Sequence, residues 1–307
     1  MDLRRVATRV LVGLGLLGST LVVARVLTGY AAGNYPFMYD ARAYWSVSGA
    51  SPYHGTELGQ PGAYWYSPAF LQVLAPLRAL SWPAFAATWL AINGATLVWL
   101  GGRRVLYLLA FPPVVFELLE GNVHLLMAAA LVLGFRFAGS WAFLVLTKVS
   151  PGVCLAWFAA RHEWRQLALA LGLSAGVALV SFAFAPSLWF DWVRTVLAAR
   201  PRADWTSFGM PVRVVGGGVL AWWGGRTSRP WVLPFAVIFS LPSLWFSGLA
   251  ILAALPALSG VRMQPIGAGE VSPAPELARA ESPAFAVRSD AEDDRSVRHA
   301  PVSGREG

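Results

Sequence analysis

Residues 10–27 read VLVGLGLLGSTLVVARVL, and this stretch decides the class of fold. It is apolar apart from Ser19, Thr20 and Arg25, and its 18 residues approach the roughly 20 that carry a helix across a bilayer. A helix satisfies its own backbone polar groups, which lipid would leave unpaired. Arg4, Arg5 and Arg9 precede the stretch, so the positive-inside rule puts the N-terminus in the cytoplasm and residues 30–66 outside. A cleaved signal peptide needs a shorter apolar core and a small-residue exit site. The Thr-Gly-Tyr-Ala-Ala-Gly sequence at 28–33 leaves that alternative open, but the length favours an uncleaved first helix.

Composition extends this reading to most of the chain. Of 307 residues, 56% are hydrophobic and 13% charged, about half the charge of an ordinary soluble domain. An ordinary soluble enzyme, a wholly disordered chain and a disulfide scaffold built on the lone Cys154 are all excluded. Eight of the 16 acidic residues lie after Pro256, leaving eight acids against 18 basic residues in 1–256, a net charge of +10 there. The arginines come as singles and pairs between apolar runs, with no basic stripe, so nucleic acid is not an expected partner and membrane lipids are.

Further apolar segments fall at 67–80, 83–101, 104–119, 122–138, 140–160, 166–186, 210–225 and 231–256. The expectation is an all-α polytopic bundle of about eight or nine segments over residues 1–256. Arg78, Arg103, Arg104, Arg136, Arg161 and Arg165 cannot all be cytoplasmic if every segment spans once, so a segment near 67–80 or 140–160 is expected to be re-entrant or broken. Trp189, Asp191, Trp192, Arg194 and Trp205 suit an amphipathic interfacial helix between Pro186 and Met210. Residues 257–307, rich in Pro, Ala, Glu, Ser and Arg, read as a disordered tail.

The loop at 30–66 holds seven of the eight tyrosines, together with Asp40, Arg42, His54, Glu57 and Gln60. A carboxylate just outside the first helix can take a proton from a sugar hydroxyl as that hydroxyl attacks an activated donor, provided it stays ionised. Arg42 could keep Asp40 ionised, or bind a phosphate. The alternative is a solvated acid paired with Arg42 at the membrane surface. Lys148 is the only lysine and interrupts apolar sequence; burying it in a membrane costs about 2.5–3.5 kcal/mol on insertion scales, which argues for a partner. It either contacts an anionic substrate or snorkels to the interface. Glu117, Glu120, Asn122 and His124 also break an apolar run, and Glu117 and Glu120, three apart, would share one helix face. Glu120 and His124 alone are too few for a metal site, so no metal or cofactor is expected.

Several of these stretches resemble a known family. Asp40 with Tyr44, the Gly49-Ala50-Ser51-Pro52-Tyr53 turn, and Tyr64-Trp65-Tyr66-Ser67-Pro68 opening an apolar helix resemble the first-loop pattern of glycosyltransferase family 87. Glu120-Gly121-Asn122-Val123-His124 is similar to its Gly-(Gln/Asn)-x-Asn turn, and Lys148-Val149-Ser150-Pro151 to its intramembrane Lys-x-x-Pro. The resemblance covers roughly residues 35–185. Two departures stand out, Ala69 for a proline and His124 for the second Asn, and the body is shorter than is usual in the family.

The resemblance implies a GT-C type membrane enzyme that moves a hexose, mannose above all, from a polyprenyl-phosphate donor to an envelope glycolipid or glycan on the extracytoplasmic face of the plasma membrane. Asp40 would be the base. Arg42, Tyr44, Tyr53, Tyr66, Glu120, Asn122, His124 and Lys148 would bind substrates, with Arg42 or Arg194 assisting Lys148 at the phosphate. The rivals are a degenerate member without activity, a scaffold and a transporter. If Asp40 and Lys148 line one cavity at the same membrane face, the enzyme is favoured; separation to opposite faces favours the scaffold.

Overall fold

The computed structural model describes residues 3–49, 51–53, 63–198 and 209–261, and every regular element among them is a helix. Helix α1 (Leu3–Ala31) runs unbroken for 29 residues, about 43 Å at 1.5 Å per residue, more than the ~30 Å of a hydrocarbon core. Leu11, Leu14, Leu17 and Leu21 on it are exposed. In water such a surface would be an adhesive patch; in lipid it faces its natural solvent.

Next come the short α2 (Tyr39–Ser46), α3 (Pro68–Arg78) and α4 (Trp82–Gly101). A 3-10 turn at Gly102–Arg104 joins α4 to α5 (Val105–Leu109), so that Trp82–Leu109 forms a second span of 28 residues. Helices α6 (Pro112–Glu120) and α7 (His124–Leu133) are apolar enough to span together but bend by 112° at the intervening turn. The 140–160 segment is in three pieces: α8 (Trp141–Thr147), a 3-10 stretch at Ser150–Leu155, and α9 (Ala156–Ala160). Helix α10 (Trp164–Phe184) is a third span of 21 residues. The amphipathic stretch forms α11 (Pro186–Ala198), and α12 (Met210–Arg226), α13 (Leu233–Ser240), a 3-10 stretch at Phe246–Ala254 and α14 (Leu255–Leu258) complete the order.

The expected eight or nine spanning segments therefore become three among the described residues, or four if the bent pair counts as one. A hydropathy window registers apolar composition but not breaks. Pro112, Gly121, the extended Lys148 ahead of Pro151, and Leu241 ahead of Pro242 divide the remaining apolar sequence into helices too short to cross alone. The broken character expected near 67–80 or 140–160 appears at 140–160 as the three pieces just named, whereas 67–80 holds the single continuous α3 and the sharp bend falls between α6 and α7. His54, Glu57, Gln60, Trp205 and the expected tail beyond Val261 lie outside the described residues.

Candidate functional site

The site is assembled around the break between α6 and α7. Gly121 ends α6 at φ 68°, a left-handed conformation that glycine adopts without strain. It also leaves room for α2: a Cβ at Gly121 would sit 2.7 Å from Ala41 Cβ and 2.9 Å from Met38 Cε. The opened backbone is met by nearby side chains. Trp89 Nε1 donates to Gly121 O at 2.6 Å, and Tyr30 Oη donates to Leu119 O at 2.8 Å.

Helix α2 packs onto this turn through Ala41 and Tyr44, three residues apart on one face. Asp40 thereby meets Asn122, whose Nδ2 donates to Asp40 Oδ2 at 2.6 Å. The amide oxygen of Asn122 accepts from Val123 N at 2.7 Å and lies 3.2 and 3.4 Å from the hydroxyls of Tyr44 and Tyr66. These contacts fix the amide with its NH2 toward Asp40. The two hydroxyls are 2.9 Å apart, and burial keeps both tyrosines as phenols. Burial also pushes the Asp40 carboxyl up to about 6; the Asn122 hydrogen bond, Lys148 and His124 pull it down, and Glu117 pushes it up. Asp40 is thus ionised at neutral pH and close to its titration point, as a general base requires.

A second cluster adjoins the first. Glu117 is fully buried and reaches across the turn: its Oε1 accepts from His124 N at 2.6 Å and Leu125 N at 3.4 Å, capping the start of α7. Its Oε2 lies 2.9 Å from His124 Nδ1, and His124 Nε2 lies 2.9 Å from Lys148 Nζ. Lys148 stands 5.8 Å from the ring centroid of Tyr66, whose hydroxyl belongs to the Asp40 cluster. Ser67 Oγ donates to Leu146 O, fastening the start of α3 beside Lys148, and Tyr53 Oη donates to Tyr66 O at 2.9 Å.

Asp40, Tyr44, Tyr53, Tyr66, Asn122, His124 and Lys148 are therefore brought together. Arg42 is not. It stacks on Trp45 and Trp82 at 4.8 and 4.6 Å and makes no ion pair with Asp40, because residues two apart on a helix point to different sides. Glu120 turns from Glu117 toward Tyr30, 3.4 Å from its hydroxyl, and Arg194 pairs with Asp191 at 3.4 Å on the exposed surface. Among the described residues no group of three or more His, Cys, Asp or Glu side chains could hold a metal. Glu117 and Trp89 are the members that the sequence reading did not place in the site. The signal for Glu117 was a carboxylate seven residues before a histidine with a glycine turn between.

A family model described as glycosyltransferase family 87 matches residues 64–265, 202 of the 307 residues. The chain belongs to glycosyltransferase family 87. It is thus a membrane glycosyltransferase, acting on a sugar donor and an acceptor. No curated protein and no solved structure matches it. The family 87 match includes Asn122, His124 and Lys148 but begins after Asp40, so the part of Asp40 rests on its place against Asn122.

Proposed function

We propose that the protein transfers a hexose, mannose first among the candidates, from a polyprenyl-phosphate donor to a glycolipid or glycan acceptor on the extracytoplasmic side of the plasma membrane. Asp40 takes the proton from the acceptor hydroxyl, and the oxygen attacks the anomeric carbon. The bond from that carbon to the phosphate oxygen breaks, and polyprenyl phosphate leaves with its electron pair. A single displacement of this kind inverts the anomeric configuration. Lys148 offsets the charge that gathers on the leaving phosphate.

The observation that carries this reading is the meeting of the two clusters at Tyr66. It joins a carboxylate that titrates near 6 to the chain's only lysine. A scaffold gives no reason for these charges to converge. An apolar groove of about 530 Å³ between α3 and α10, lined by Ala69, Val73, Leu173, Val177 and Val180, begins three residues after Tyr66 in the chain and suits the prenyl chain. Exchanging Asp40 for Asn keeps the shape and removes the base. Purified D40N protein is expected to lose sugar transfer from a polyprenyl-phosphate hexose while keeping its thermal unfolding temperature. Undiminished turnover in D40N would end the proposal.

A further inference from the structure

As an ammonium, Lys148 has only donors to offer, and its 2.9 Å contact then makes His124 Nε2 the acceptor. The imidazole is therefore neutral with its proton on Nδ1, and that N–H donates to Glu117 Oε2 at 2.9 Å. Glu117 is itself held by two backbone N–H groups of α7, so the carboxylate cannot turn away without uncapping that helix. From these contacts we infer that Glu117 and His124 are positioning residues: they form a rigid strut that fixes the Lys148 ammonium and aims its free donors at an anionic oxygen of the substrate. The strut makes a buried charge tolerable, because the carboxylate and the ammonium sum to zero through a neutral ring.

One N–H of Lys148 is used in the strut, and the other two have no partner among the described residues. Two spare donors on a half-buried ammonium, 5.8 Å from the ring centroid of Tyr66, whose hydroxyl belongs to the Asp40 cluster, form an incomplete shell that a phosphate oxygen completes. The inference rests on the proposed reading that Lys148 meets the donor's phosphate, and adds what holds it there. It also accounts for histidine at a position where the motif would place Asn. An Asn side chain could still reach Glu117 but would be too short to accept from Lys148.

The experiment uses the full chain in nanodiscs, with binding of a polyprenyl monophosphate and the KM for a polyprenyl-phosphate hexose as readouts. Lys148→Met should weaken phosphate binding about tenfold or more, the scale of a hydrogen bond to a charged group. His124→Asn should weaken it nearly as much, and the double variant no more than Lys148→Met alone, since both act through one ammonium. His124→Gln, which can place an amide oxygen near the Nε2 position, should recover much of the binding. Glu117→Gln should resemble His124→Asn. Its amide would donate to Nδ1 and force the ring proton onto Nε2, against the ammonium; this variant carries the comparison if His124→Asn fails to fold. If Lys148→Met weakens binding while His124→Asn and Glu117→Gln do not, or add to it independently, the strut is refuted and the phosphate reading survives. If Lys148→Met leaves binding unchanged, the phosphate reading falls and the strut's function falls with it.

Discussion

The turn at Gly121 and the face of α12 both depend on glycine, for different physical reasons. At Gly121 the requirement is conformational as well as spatial: φ is 68°, and α2 presses against the missing side chain. Along α12 the glycines are ordinary helical residues, needed because other backbones come close. A Cβ at Gly217 would lie 2.7 Å from Ala236 O, and one at Gly225 would lie 2.8 Å from Trp157 O. Small residues at such positions let helices pack tightly where no water drives them together. The first region therefore gives up regular structure to gather polar groups, while the second keeps it to hold the bundle closed. A defect in one should mainly alter turnover, and a defect in the other mainly stability.

The largest effect is expected for Gly121→Ala. Strain at a left-handed position costs about 1–3 kcal/mol, and displacement of α2 by even 1 Å should lower turnover about a hundredfold. Adding Ala41→Gly removes one clash but not the strain, so the double variant should regain part of the activity. Wild-type turnover in Gly121→Ala would show that the docking of α2 does not set Asp40.

Acidification separates the two regions without a substitution. The Asp40 carboxyl titrates at about 6 rather than its usual 3.8, so the rate should fall about tenfold per pH unit below 6 as the base is protonated. The sign for stability is opposite. A carboxyl raised on folding binds its proton more readily in the folded state, so between 6 and 3.8 this group favours folding as pH drops. Activity at pH 5 should therefore drop to about a tenth of its value at pH 7 with the unfolding temperature unharmed by Asp40, and a flat rate profile across 5–7 would count against Asp40 as the base.

Gly217→Ala should act in the other sense. Overpacking against Ala236 should cost about 1–3 kcal/mol of stability, with turnover per folded molecule unchanged in detergent. A fall in turnover at constant folded fraction would couple the regions. The smallest effect is expected for Arg42→Ala, which loses contacts of a half-buried side chain with two indoles worth about 0.5–2 kcal/mol. Donor KM should stay within about twofold, well short of the loss of one charged hydrogen bond. A tenfold rise would restore Arg42 as a phosphate ligand.

Much of the site was legible in the sequence because charge is scarce there: with 26 charged residues in the first 256, Asp40 and Lys148 stand out. What pattern could not supply was direction. Asp40 and Arg42 are neighbours in sequence, yet the helical repeat turns one toward Asn122 and the other toward Trp82. Glu117 and Glu120 have the spacing of a shared face, but the turn at Gly121 offers Glu117 a free helix start and a histidine ring, while Glu120 meets Tyr30. The number of spans was lost for the same reason. Hydropathy is a sum over residues, whereas breaks such as Gly121 and Lys148 are single positions within an apolar background.

The 112° bend also has a consequence for how the chain enters a membrane. It exposes two helix ends within an apolar sequence, and those ends are costly in lipid until something meets them. Tyr30, Asp40 and Trp89, which contact this turn, all lie earlier in the chain, and Glu117 comes from the bent pair itself. In N-terminal-first synthesis the hairpin therefore emerges after its partners. Lys148 follows and finds an imidazole already held against Glu117. The order of synthesis is thus the order in which buried polar groups find partners, and slow docking of α2 would strand the hairpin in lipid with its backbone open.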